Sequence, residues 1–240
     1  MITPVTGPIR RIDVATLPAQ ALGTNADCYV VIDAFRATTT IATLFAGGLR
    51  SLTACARIED AYRLKAGTAA MLFGEVHGLP PEGFDHGNSP LEASRLDVAG
   101  RDAVLFTTNG TAALVGVAGR GDIFAGAFVN ASAIAEAVCD YASVVMVCAG
   151  NAGGNEFSLE DFSAAGAIVR AIVALNGGFD ICDAARAAME LSVETARDSS
   201  HAATLRSLDL DADIDFALQL DSATVAPRVV AQGDGWARLE

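Results

Sequence analysis

Three times along this chain a short apolar run stops at a cluster of small polar residues and glycines, and a helix-like pattern starts directly after it. The clearest case is residues 103–114, A-V-L-F-T-T-N-G-T-A-A-L. The others are residues 30–40, V-V-I-D-A-F-R-A-T-T-T, and residues 144–161, V-V-M-V-C-A-G-N-A-G-G-N-E-F-S-L-E-D. A strand feeding a tight loop and then a helix is half of a βαβ unit, so the recurrence constrains the fold to the α/β class. Each loop also places a helix's positive end and its unpaired N–H groups beside a strand terminus, which suits an anion and above all a phosphate. In the first block Thr107, Thr108, Asn109 and Thr111 offer side-chain donors and caps, and Gly110 lets the backbone approach a ligand. Capping by Thr and Asn is also routine structural work, so the recurrence carries the inference.

The rest of the chain keeps the same alternation. Residues 9–14 read as an edge strand, followed by a Pro-containing loop through Ala26. Strands are expected over 28–32, 49–54, 69–73, 103–106, 122–127 and 144–148, with helices over 38–45, 58–66, 131–139 and from Ser158 to about residue 175. Residues 76–89 differ. They hold Gly78, Pro80, Pro81, Gly83, Gly87, His77 and His86, and are too long for a plain connection, which marks a functional loop; Asn88-Ser89-Pro90 then caps a helix over 90–96. Three further helices are expected over 181–196, 202–208 and 214–220, and the tail reads as two strands around Gly233-Asp234-Gly235. Residues 1–240 thus predict one α/β domain: a mostly parallel sheet with helices on both faces, a helical addition over about 180–220, and a terminal β-hairpin.

Charge and composition exclude several functions. With 16 basic against 29 acidic residues, the net charge of -13 leaves no basic stripe for nucleic acid. No apolar run approaches the ~20 residues that span a bilayer, and the first residues lack a basic segment followed by an apolar one, so the expectation is a cytoplasmic protein without a membrane segment. Cys28, Cys55, Cys139, Cys148 and Cys182 are odd in number and widely spaced, which indicates neither a disulfide frame nor a zinc cluster. The hydrophobic share of 52% leaves room for a homodimer.

In an open parallel sheet, ligands gather at the carboxyl ends of the strands. Asp33, Glu75, residues 107–109 and residues 149–154 all fall at such ends. An acidic protein that binds a polyanion must overcome its own field locally, through Arg36, helix starts or a divalent cation held by carboxylates. The available carboxylates are Asp33, Glu75, Asp85, Glu156, Glu160 and Asp161, and Mg²⁺ needs only one or two of them beside water and substrate oxygens. Asp33 is the strongest candidate, since a carboxylate ending a buried strand is costly unless paired or metal-bound; a salt bridge to Arg36 or a cap on the next helix would also satisfy it. Asp161 fits either a catalytic role or a favourable charge at a helix start, and Asp85 fits a role in fixing its own loop. Arg36 beside Thr38 and Thr39 suits phosphate or sulfonate oxygens. His77 and His86 are placed to protonate a leaving group or to face solvent, His201 reads as structural, and Cys148 as a buried thiol.

The blocks D-A-F-R-A-T-T-T (33–40), G-E (74–75), G-F-D-H-G-N-S-P (83–90), T-T-N-G-T (107–111), and C-A-G followed by F-S-L-E-D within 148–161 resemble the 2-phosphosulfolactate phosphatase family in order, spacing and number. The resemblance covers most of residues 28–170. It implies Mg²⁺-dependent hydrolysis of 2-phosphosulfolactate to sulfolactate and phosphate, a step in coenzyme M synthesis. Combined with the chemistry above, it gives a catalytic set of Asp33, Arg36, Glu75 and Asp161, with Asp33 and Glu75 holding the metal. The substrate would be held by Thr38, Thr39, Asn88, Ser89, Thr107, Thr108, Asn109, Gly110, Thr111, Gly150 and Ser158. The competing readings are a phosphatase of a related phosphorylated hydroxy acid and a non-catalytic phosphate- or nucleotide-binding protein. A nicotinamide-dependent oxidoreductase is disfavoured by the missing glycine fingerprint.

Overall fold

The computed structural model describes residues 10–240. The first half contains β1 (Arg10–Ala15), α1 (Pro18–Leu22), β2 (Cys28–Ile32), α2 (Ala37–Ala46), β3 (Ser51–Cys55), α3 (Ile58–Lys65), β4 (Met71–Gly74), α4 (Pro90–Ala93), β5 (Asp102–Phe106) and α5 (Gly110–Gly116). The second half contains β6 (Asp122–Gly126), α6 (Ala131–Val138), β7 (Ser143–Cys148), α7 (Leu159–Leu175), β8 (Phe179–Ile181), α8 (Asp183–Met189), α9 (Val193–Arg197), α10 (Ser200–Arg206), α11 (Asp211–Ala217), β9 (Val229–Gly233) and β10 (Trp236–Leu239). The α/β class, the C-terminal helical addition and the terminal hairpin are as expected.

The strands divide between two sheets rather than one. The first has the order β6-β2-β7-β1-β8 and is parallel throughout. The second has the order β4-β5-β3-β10-β9, in which β4, β5 and β3 are parallel and the β9–β10 hairpin is added antiparallel at β3. Side chains alternate across a strand, so each strand contributes to two cores. Cys28, Val30 and Ile32 pack with α6 and α7 on the outer face of the first sheet, while Tyr29 and Val31 face the second sheet. Leu52, Ala54, Ala103 and Leu105 meet them from the other side, and Val104 and Leu72 point outward beneath α3. Between the sheets lie α2 and α5. This position explains why α2 is buried all round, from Ala37 to Leu44.

The strand at the N-terminus differs from expectation in one respect. Ile9, its expected first residue, lies outside the described residues, and β1 is covered on its free side by β8 instead of forming an edge. The sequence reads 181–196 as one helix, but its first residue, Ile181, pairs with β1 together with Phe179 and Asp180, and Ser192 restarts the helix by accepting from the Thr195 N–H. Part of the expected loop before Ala26 is also helical: Pro18 opens α1, where a missing N–H costs nothing. No helix among the described residues is long and apolar enough to cross a membrane.

Candidate active site

Four loops leave the carboxyl ends of β2, β4, β5 and β7, two from each sheet, and converge on a cavity of ≈ 570 Å³. Asp33, Arg36, Glu75, Asn88, Thr108 and Asn109 line it from the motif blocks. The loops are tied directly to one another. Asn109 Oδ1 accepts from the Gly153 N–H at 2.9 Å, and the two oxygens of Glu75 accept from the N–H groups of Gly78 (2.8 Å) and Thr108 (2.7 Å). Gly110, at the start of α5, packs directly against the segment after β2: a Cβ there would stand 2.5 Å from Asp33 Oδ2 and 2.6 Å from the Ala37 Cβ. Only glycine leaves room for the Asp33 carboxylate against the start of α5.

Several residues expected to hold substrate are turned into the fold instead. Thr38 donates its hydroxyl to the Asp33 carbonyl and accepts from the Asp33 N–H, and Thr39 donates to the Ala34 carbonyl; both are fully buried and neither lines the cavity. Hydroxyls in the first turn of a helix reach nearby backbone groups before they reach a ligand. Thr107 and Thr111 likewise bond each other's backbone, Ser158 caps α7 by accepting from the Asp161 N–H, and Ser89 caps α4 while donating to Asp213. Gly150 stands at φ +70, donating its N–H to Asp161. Asp161 itself is a brace: its oxygens accept from the Ala34 N–H (2.8 Å) and the Gly150 N–H (3.1 Å), joining the loops after β2 and β7 behind the cavity wall. Asn88, Thr108 and Asn109 are thus the members of the expected binding set that line the cavity, and Asp33, Arg36 and Glu75 those of the catalytic set.

Two residues outside the sequence-derived set complete the site. Asp213 on α11 holds Arg36 in a buried ion pair at 2.8 Å, with side chains 3% and 4% exposed, while the second guanidinium nitrogen donates to the Gly78 carbonyl at 2.9 Å. His201 on α10, read from the sequence as structural, lines the cavity, and its Nδ1 lies 3.0 Å from Glu160 Oε1. No sequence signal pointed to Asp213, which is 177 residues from its partner. The signal for His201 lay in its partner: Glu160 belongs to the F-S-L-E-D block. His77 also borders the cavity, whereas His86 stacks on Phe73 and pairs with Glu92. Asp85 fixes its own loop through the Leu72 N–H and Lys65, and Cys148 is a fully buried thiol whose pKa burial pushes far up.

The electrostatics follow from burial among like charges. Burial pushes the Asp33 carboxyl up to about 6, with the charges of Glu75 and Glu160 adding to it and His201 and the Ala37 N–H opposing. Burial also raises Asp161 well above the ordinary value, aided by Asp33 and Glu160. At Glu160 burial works in the same direction, but the hydrogen bond and charge of His201 outweigh it and hold the carboxyl below its usual range. Among the described residues no group of three or more His, Cys, Asp or Glu side chains is placed to hold a metal. Mg²⁺ does not need such a group. Asp33 and Glu75 both line the cavity, and Asn88 Oδ1 is buried there without a hydrogen-bond partner, so the donors are hard oxygens in surplus of negative charge. That donor set fits Mg²⁺.

The family model described as 2-phosphosulpholactate phosphatase matches residues 15–232. The chain belongs to the 2-phosphosulfolactate phosphatase family. Relatives named "Probable 2-phosphosulfolactate phosphatase" include one from Deinococcus radiodurans, 39% identical over 218 residues, which cover 87% of this chain and 90% of that protein. Another from Thermotoga petrophila is 38% identical over 208 residues, 84% of this chain and 88% of that protein, and a third from Gloeobacter violaceus is 33% identical over 216 residues. The phosphatase-family match extends past the motif blocks through α10 and α11, and so takes in both His201 and Asp213.

Proposed function

We propose that this member of the family hydrolyses 2-phosphosulfolactate to sulfolactate and phosphate with Mg²⁺ as its metal, a step in coenzyme M synthesis. The observation that supports it most is the match over residues 15–232, a span that includes every loop bordering the cavity. Uncatalysed phosphate monoester hydrolysis is among the slowest reactions known, so such a site must supply dense charge stabilisation and firm positioning. Asp33 and Glu75 would hold the metal, with Asn88 Oδ1 as an uncharged third donor; when bound, Mg²⁺ would neutralise charge on the phosphoryl oxygens. Arg36 is fixed by Asp213 and Gly78, and its remaining N–H groups are oriented before any ligand arrives. The hydroxyl of Thr108 and the amide nitrogen of Asn109 add donors at the start of α5. His77, Asn151, Ser200 and Thr204 border the rest of the cavity and are available to the sulfonate and carboxylate.

The test is release of inorganic phosphate from 2-phosphosulfolactate, measured with Mg²⁺ and again after EDTA, alongside a panel of other phosphorylated hydroxy acids. Mg²⁺-dependent turnover with preference for the sulfonated ester is the expected result. Faster turnover of another ester would reassign the substrate, turnover indifferent to EDTA would remove the metal, and no phosphate from any ester would remove the enzymatic reading.

A further inference from the structure

We propose that His201 is the general acid of this site, donating the Nε2 proton to the ester oxygen as the phosphoryl group departs, with Glu160 as the residue that positions the ring. The inference rests on the phosphatase reading and adds to it a role for the C-terminal helices. The leaving group of a phosphorylated hydroxy acid is an aliphatic alkoxide, which departs slowly unless it is protonated. Three histidines are present, and the surroundings separate them. His86 is stacked on Phe73 at 4.9 Å and paired with Glu92, away from the cavity. His77 borders the cavity with no carboxylate bonded to it among the described residues. His201 borders the cavity and also has an orienting group: its Nδ1 is 3.0 Å from Glu160 Oε1, which leaves Nε2 for the ligand. Glu160 is 1% exposed and its Oε2 has no hydrogen-bond partner, an expensive placement for a carboxylate whose one described ionic partner is this imidazole.

The charges around the ring suit the task. Burial alone would strip the proton from His201, and Arg36 at the start of α2 works in the same direction. The bond to Glu160 on α7, its charge, and the charge of Asp33 after β2 outweigh both, so the imidazolium persists above the ordinary histidine range. In the step, the P–O bond to the hydroxy acid breaks with its electron pair left on the ester oxygen, and that oxygen takes the Nε2 proton. A P–O bond to water forms, and the proton that the new dihydrogen phosphate gives up on becoming hydrogen phosphate restores the imidazolium. No other reactant is needed.

The experiment compares two esters on the same protein preparations: 2-phosphosulfolactate, whose alkoxide needs a proton, and p-nitrophenyl phosphate, whose phenolate does not. His201→Gln should lower kcat on the first by about 100-fold or more and leave the second within a few-fold. In the wild-type protein, kcat on the first ester should fall as pH rises through the raised His201 value, and kcat on the second should not. That comparison needs no variant, so it stands even if His201→Gln folds poorly. Glu160→Gln should move the alkaline fall to lower pH, a displacement that lost packing would not produce. Equal losses on both esters, or the same alkaline limb for both, would overturn the proposal while the phosphatase reading survives. A wild-type protein that releases phosphate from neither ester overturns both.

Discussion

Replacing Asp213 by Ala should unfold this protein more readily than almost any other single loss of a carboxylate. The Arg36–Asp213 pair closes at 2.8 Å with both side chains nearly sealed from water, and Asp213 also accepts from the Ser89 hydroxyl. Unit charges ~4 Å apart at an effective dielectric of ~20 attract by about 4 kcal/mol. Once Asp213 is gone, the guanidinium keeps a single described acceptor, the Gly78 carbonyl, and remains buried with its charge uncompensated. Breaking such a pair costs about 3–5 kcal/mol, which at about 2–4 °C per kcal/mol for a chain of this length lowers Tm by about 6–20 °C. Urea unfolding with an unchanged slope would give the same loss as a shift in midpoint. Asp213→Asn should cost less, because its amide oxygen still accepts from Arg36 while its N–H groups can donate to the Ser89 hydroxyl, and Arg36→Met combined with Asp213→Leu should recover most of the loss by removing both charges. A change below about 1 kcal/mol, the range of exposed pairs, would refute the reasoning, since it would mean that water reaches the pair and that α11 does not seal the site.

Other perturbations probe the remaining parts. Asp33 has its folded pKa raised from 3.8 to about 6, so its charge lowers stability as pH rises through that interval; Asp33→Asn in EDTA should raise stability near neutral pH by about 1–3 kcal/mol, read from thermal melts, while abolishing phosphate release. The His201–Glu160 pair behaves in the opposite sense at its two ends. His201 is raised above 6.5, so its share is complete below that value and lost as pH climbs through the folded value. Glu160 is lowered below 4.5, so its share is present above that value and lost as pH falls through the folded one. The melting difference between wild type and His201→Gln should therefore be greatest between the ordinary values of 4.5 and 6.5. Gly110→Ala forces a methyl to 2.5 Å from Asp33 Oδ2, and should cost about 1–3 kcal/mol in urea titrations and displace Asp33 enough to reduce turnover.

Part of the cavity lining was legible because its residues sit where local patterns end. Asp33, Glu75 and Asn109 each follow a recognisable strand within three residues, and the rule that parallel sheets bind ligands at their carboxyl ends brought them together. The same local grammar could not show that Thr38, Thr39, Ser158 and Thr111 stay outside the cavity lining. A hydroxyl at a helix start looks identical in sequence whether it faces a ligand or its own backbone, and here the backbone was closer.

By itself the chain determined most of its elements, their order, the loops that carry polar residues, and its kinship, all of which depend on periodicity and spacing within a few dozen residues. Tertiary structure alone decided that the strands fall into two sheets, that β8 covers β1, that Asp213 pairs with Arg36, and that His201 reaches a cavity built mostly from the first 160 residues. Strand pairing and charge pairing at such separations are fixed by which surfaces are buried together. Two strands with the same alternation are interchangeable until helices such as α2 and α5 are enclosed between them.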